Sequence, residues 1–99
     1  MDQGGCIYIM ANYSKTTIYI GVTTDLQRRI QEHRHREDPK SFTARYNLKY
    51  CIYYEMLPSV VEAIAREKEV KKWRREKKEN LINKMNPEWK DLWYEIKEW

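Results

Sequence analysis

Long apolar runs are missing from this 99-residue sequence. None approaches the roughly 20 consecutive apolar residues that a helix needs to cross a bilayer. Met1-Asp2-Gln3-Gly4-Gly5 also lacks the basic region with which a secretory signal begins. A cytoplasmic location is the expectation. Cysteine is scarce: Cys6 and Cys51 lie apart in strand-like runs, match no zinc spacing, and read as reduced, partly buried thiols. Repeats, low-complexity segments and long linkers are absent, so residues 1–99 are expected to form one domain with a modest core.

Charge and aromatic rings, by contrast, are plentiful. The chain is 41% hydrophobic and 34% charged, which reads as soluble and globular rather than disordered. Its eight tyrosines, four tryptophans and one phenylalanine exceed what so small a core can hold, so some rings must lie where they can hydrogen-bond or stack on bases. The net charge of +4 mildly favours an anionic partner.

Two alternating runs open the chain. Ile7, Ile9 and Ala11 share one face of a strand while Cys6, Tyr8 and Met10 share the other; Ile18, Ile20 and Val22 then face away from Tyr19 and Gly21. Asn12 to Thr17 between them has the length and polarity of a hairpin loop. Thr24 or Asp25 can cap a helix carrying Leu26 and Ile30 on one stripe and Arg29 and His33 beside it. Pro39 breaks that helix, Phe42–Asn47 is a candidate short turn of helix, and Leu48–Met56 reads as a third strand. Ser59 and Glu62 fit a capping box before a long helix from about Val60 to Trp73, with a break or continuation near Arg74. After Pro87, the spacing of Trp89, Leu92, Trp93 and Ile96 predicts a last short helix within Glu88–Trp99 that docks by one apolar stripe. The fold class expected is mixed α/β (α+β): a small three-stranded, mostly antiparallel sheet flanked by helices.

Cys6-Ile7-Tyr8, then Tyr19-Ile20-Gly21, then Arg29 and His33 on the following helix, and a glutamate on a later one, form an ordered set. This set resembles the GIY-YIG nuclease domain, with Cys6 standing where the family has its first glycine. The resemblance covers nearly the whole chain and is strongest to the small stand-alone bacterial members.

Each candidate residue has a plainer reading beside the functional one. Arg29 is one of several arginines, with Arg28, Arg34 and Arg36, that could form a solvated helix face; the resemblance singles out Arg29, whose guanidinium fork can bind two non-bridging phosphate oxygens. Glu67 falls beside Ala63, Ile64 and Val70 on the inward side of its helix, where a carboxylate needs a partner. That partner is Lys71, one turn on, or a divalent cation; the resemblance implies the cation. Tyr8 and Tyr19 are strand residues that pack under the helices or, as the resemblance implies, position or deprotonate the attacking water, Tyr8 being the more usual base. His33 is a structural histidine or an assistant to that proton transfer. Asn80, Asn83 and Asn86 compete for a late asparagine of the family, Asn86 looking like a turn residue before Pro87. The basic run of Lys71, Lys72, Arg74 and Arg75, around Trp73, is a solvated face or a contact to the phosphate backbone, and Arg28, Lys40, Arg45 and Lys49 could extend it.

The resemblance therefore implies an endonuclease that hydrolyses DNA phosphodiesters, branched or single-stranded DNA included, in repair or recombination. It implies one Mg²⁺ or Mn²⁺ on Glu67, with Tyr8, Tyr19, Arg29 and His33 as its companions. The alternatives are a nucleic-acid-binding module of the same fold that cleaves weakly or not at all, and a protein-interaction domain built on the tryptophan-rich end.

Overall fold

In this computed structural model, residues 4–35 and 37–99 are described; Met1, Asp2, Gln3 and the comparison arginine Arg36 lie outside them. The two opening runs form β1, Gly5–Ala11, and β2, Ile18–Thr23, an antiparallel hairpin. The third strand, β3, spans Tyr50–Leu57 and pairs antiparallel with the other side of β1, so the strand order is β2-β1-β3. The expected three-stranded antiparallel sheet flanked by helices is present.

β1 is the middle strand and is buried along its whole length. Its alternation therefore serves two cores rather than one wet face and one dry face. Ile7, Ile9 and Ala11 pack with Ile20, Ile52, Ala63, Val70 and Ile82. Cys6, Tyr8 and Met10 pack with Leu26, Ile30, Leu48, Cys51 and Ile96 on the other side. The first core is roofed by α3, Val60–Lys71, and α4, Arg75–Met85; the second by α1, Leu26–Arg34, and α5, Trp93–Ile96. A short α2, Phe42–Arg45, lies between α1 and β3. Both cysteines are free and buried, and burial pushes the Cys6 thiol up to about 11.

Local chemistry sets the boundaries. Asp25 rather than Thr24 caps α1, accepting from the Arg28 amide at 3.1 Å. Ser59 caps α3: it accepts from the Glu62 amide at 3.2 Å, and in place of the reciprocal backbone bond of the expected capping box its hydroxyl donates to the Glu62 carboxylate at 3.0 Å. That helix stops at Lys71, and the chain breaks before restarting at Arg75. In β3 the register with β1 skips Ile52, a bulge that leaves Tyr53 beside Ile9 and Cys51 beside Met10.

The end of the chain departs from the sequence expectation. Only Trp93–Ile96 is helical, and the docking stripe is split between the two cores. Leu92, Trp93 and Ile96 join the second core, while Trp89 packs against the first. Trp89 adopts a φ of 54°, a left-handed backbone that costs a non-glycine residue about 1–3 kcal/mol. Its ring burial and the bond from its indole N–H to Asn83 Oδ1 at 2.7 Å offset that cost. Trp89 and Trp93 are therefore partly buried against the two cores, while Tyr94 and Trp99 of the same segment remain exposed.

Asn86 holds this turn. It is buried and donates to the carbonyls of Ile52 and Lys90, and its Oδ1 accepts from the Lys90 amide. Asn86→Ala is expected to destabilise the fold by about 1–3 kcal/mol, because buried backbone groups are left unpaired. A urea midpoint unchanged from the parent would show that the turn holds without it.

Candidate active site

Gly21 makes the room around which the site forms. It stands directly across from Tyr8 in the β1–β2 ladder, and a β-carbon there would lie 2.4 Å from the Tyr8 hydroxyl and ring. Lacking one, the strand lets the phenol lie across it toward α1. There the Tyr8 hydroxyl sits 2.9 Å from Nε2 of His33 and accepts from Nε of Arg29 at 3.3 Å. Arg29 and His33, one turn apart on α1, thus meet on the same oxygen.

The other side of His33 is held as firmly. Its Nδ1 lies 2.8 Å from Oγ1 of Thr43, on α2, which Ser41 caps. The second nitrogen of Arg29, Nη1, reaches Glu32 Oε1 at 2.8 Å, while the arginine side chain remains 43% exposed. Arg29, Glu32, His33 and Thr43 line a cleft of about 230 Å³ with Glu37, Asp38 and Ser41.

Burial sets the protonation states. It raises the Tyr8 phenol to about 12, against the lowering effect of the Arg29 bond and charge. It lowers His33 to about 4, helped by the positive charge of Arg29, so the imidazole is neutral at neutral pH. Burial alone would weaken Arg29 as a base; its bonds to Glu32 and Tyr8 outweigh that and hold it charged. The bond from Arg29 keeps the Glu32 carboxyl below its ordinary range.

Tyr19 closes the ring of aromatic groups. Its centroid is 6.4 Å from that of Tyr8 and 6.1 Å from His33. Glu67 is linked to this group through Lys71. Its side chain is 14% exposed and its Oε2 pairs with Lys71 Nζ at 3.0 Å, the lysine partner that the helix spacing allowed. Lys71 in turn lies 6.0 Å from the centroid of the Tyr19 ring, on the outer strand β2. Among the described residues, no group of three or more His, Cys, Asp or Glu side chains is arranged to hold a metal ion.

The expected backbone contacts divide. Lys40, Arg45, Lys72 and Arg74 are exposed, and Arg28 is 76% exposed beside Glu32. Arg75 is committed elsewhere: it pairs with Glu79 and donates to the carbonyls of Lys15 and Thr16, tying α4 to the hairpin loop. Arg34 is likewise structural, held by Asp91 at 2.6 Å. Trp73 packs against the first core under the cations of Arg66 and Lys77. Asn86 and Asn83 serve the turn at Trp89, and Asn80 lies exposed on α4. Two site residues escaped sequence reasoning. Glu32, three residues after Arg29, had a helical spacing that could have revealed it; Thr43 had no local signal at all.

Residues 4–80 match the family model described as the GIY-YIG catalytic domain. The chain belongs to the GIY-YIG family. Within it, the chain is similar to a UPF0213 protein of Haloquadratum walsbyi, 35% identical over 82% of this chain and 89% of the relative. A UPF0213 protein of Syntrophus aciditrophicus is 33% identical over 83% and 92% of the two chains. The solution NMR structure of a UPF0213 protein from Bacillus halodurans superposes with a TM-score of 0.55 at 30% identity, covering 89% of this chain and 92% of that one. A GIY-YIG domain is of nuclease type, with nucleic acid as its general substrate. No helix among the described residues is long and apolar enough to cross a membrane.

Two outcomes follow from this packing. Between pH 6.5 and about 4 an unfolded chain protonates His33 while the folded chain holds it neutral, so stability falls as pH drops through that window. His33→Gln should flatten this part of the urea-midpoint profile, and an unchanged slope would show that His33 does not contribute it. Gly21→Ala should force the Tyr8 ring off His33 and destabilise the chain by about 1–3 kcal/mol. In this variant the NMR-detected titration of His33 should move from about 4 toward 6.5; no movement would mean the ring stays in place.

Proposed function

We propose that this chain, acting as one domain over residues 1–99, is a metal-dependent endonuclease that hydrolyses DNA phosphodiester bonds, in a repair or recombination setting. The observation that carries this reading is the meeting of Arg29 and His33 on the Tyr8 hydroxyl. Arg29 donates to the phenolic oxygen, which leaves the phenol's own proton to be donated to neutral His33 at Nε2, with Nδ1–H donating to Thr43. In this reading the phenolic oxygen takes a proton from an attacking water as its own proton passes to His33, a transfer that the burial of both groups makes uphill and that therefore occurs in concert with attack on phosphorus. The exposed remainder of the Arg29 fork receives the phosphate and its developing charge. Tyr19 flanks the water and the phosphate. A bond forms from the water oxygen to phosphorus and the bond to the leaving alkoxide breaks; that alkoxide takes a proton from solvent, and the proton held by His33 is released to solvent, which restores the neutral imidazole.

Glu67 supplies a hard carboxylate oxygen, the donor chemistry that suits one Mg²⁺ or Mn²⁺ whose other positions are filled by water and phosphate oxygens. Such an ion, bound there, would neutralise phosphate charge and ease departure of the alkoxide. The exposed cations Arg28, Lys40, Arg45, Lys72 and Arg74, with Lys71, would track the backbone in a salt-sensitive way.

One observation favours the second reading, a module that binds nucleic acid without efficient cleavage: Lys71 already occupies Oε2 of Glu67. Incubating supercoiled and single-stranded DNA with Mg²⁺, Mn²⁺ or EDTA separates the two. Metal-dependent cutting should fall about a hundredfold or more in Arg29→Lys, with binding retained, and vanish in folded Glu67→Ala. Salt-sensitive binding with no cutting by the parent would establish the second reading instead, and equal cutting by parent and variants would remove these residues from the site.

A further inference from the structure

On α2, the residues turned inward are Thr43, which holds His33, and Ala44. The two aromatic side chains of the same turn point the other way: Phe42 is 45% exposed and Tyr46 is 48% exposed. They are not scattered. Phe42 stacks on Tyr19 with centroids 5.9 Å apart and planes inclined by 29°, and Tyr46 follows at 4.6 Å from Phe42. The guanidinium of Arg45 lies 5.9 Å from the Tyr46 centroid. A row of rings thus starts at the tyrosine beside His33 and runs out to solvent under a positive charge.

We infer that Phe42 and Tyr46 form a stacking ledge for an unpaired nucleotide of the DNA substrate, next to the scissile phosphate. The inference rests on the nuclease reading for its location but not for its binding chemistry. What sets these two rings apart is that they adjoin each other and the Tyr19 ring in one row, and a nucleobase has the flat face that stacks on such a surface. The positive charges of Lys71, 6.0 Å from the Tyr19 ring, and Arg45, 5.9 Å from the Tyr46 ring, stand at the two ends of the row and match a phosphate backbone running along it. Inside a continuous duplex both faces of each base are already stacked, so only an unpaired or splayed base can lie on the ledge. The Thr43–His33 bond fixes α2 against α1, which holds the ledge at a set distance from the Tyr8 hydroxyl. A cell of this design reads strand state rather than base sequence, because every base offers the same face.

The test uses the full chain in EDTA, with fluorescence anisotropy of a labelled single-stranded oligonucleotide and of its blunt duplex. The single strand should bind more tightly than the duplex. Phe42→Leu and Tyr46→Leu keep apolar volume without a π-face; each should weaken single-strand binding by roughly tenfold and leave duplex binding little changed. Phe42→Trp should restore it. Equal losses for both DNA forms, or no loss for either, would overturn the ledge. Should the leucine variants fail to fold, the parent protein mixed with an oligonucleotide containing 2-aminopurine decides: stacking quenches its fluorescence strongly, and unquenched fluorescence in the bound complex overturns the inference. Because no cutting occurs in EDTA, failure of the nuclease reading shows separately, as absence of metal-dependent cleavage despite ledge-dependent binding.

Discussion

The Tyr8 phenol lying across Gly21 is the contact on which the site depends. It requires a central strand, because only there is the ring buried enough for its hydroxyl to be aimed rather than free. It requires a neighbour with no side chain, because even one carbon atom at position 21 would collide with it. It requires a helix that starts close behind β2, so that Arg29 and His33 arrive over the same oxygen one turn apart. The three requirements explain physically why a tyrosine, a glycine and an arginine–histidine pair stand at these separations in the chain.

Burial works for this site and against it. Withdrawing Tyr8 and His33 from water keeps both neutral and makes the phenol a weaker acid and the imidazole a weaker base than in water, so their 2.9 Å contact rests as a hydrogen bond between neutral groups. The same withdrawal would expel an unpaired guanidinium, and Arg29 tolerates its place because Glu32 shares its charge while part of the side chain stays exposed. Glu67 is in the reverse position. It is the more buried member of a pair whose lysine is half exposed, so its carboxylate is paired without being sealed off. An incoming cation would have to compete with Lys71 for Oε2, and a released ammonium would lie beside the Tyr19 ring.

The small size of the chain shows in how its end is used. Two cores flank one strand, and neither α3 nor α1 alone covers its face. Leu92, Trp93 and Ile96 complete one core and Trp89 the other, and Gln27 on α1 donates to the carbonyls of Ile96, Lys97 and Trp99 to fasten the tail. Partly buried aromatic side chains thus help to complete both cores. Those of α2, which close neither core, remain at the surface beside the site.

What the sequence by itself determined was whatever depends on neighbours a few residues apart. The alternation of Ile7, Ile9 and Ala11 against Tyr8 and Met10 set the two faces of β1, cap candidates at Thr24 or Asp25 and at Ser59 set where α1 and α3 begin to within a residue, and helical spacing set the pairs Arg29 with His33 and Glu67 with Lys71. The split of the final stripe was not legible, because the positive φ at Trp89 is held by a buried Asn86 bonding to β3, a contact across 34 residues. Nor was the bulge at Ile52, which only the register with β1 reveals. Thr43 and the aromatic row of Tyr19, Phe42 and Tyr46 likewise come from elements separated by a loop and brought together by packing. Periodicity reports which way a side chain points from its own helix or strand; what it meets there is decided by the other elements, and that only the tertiary structure supplies.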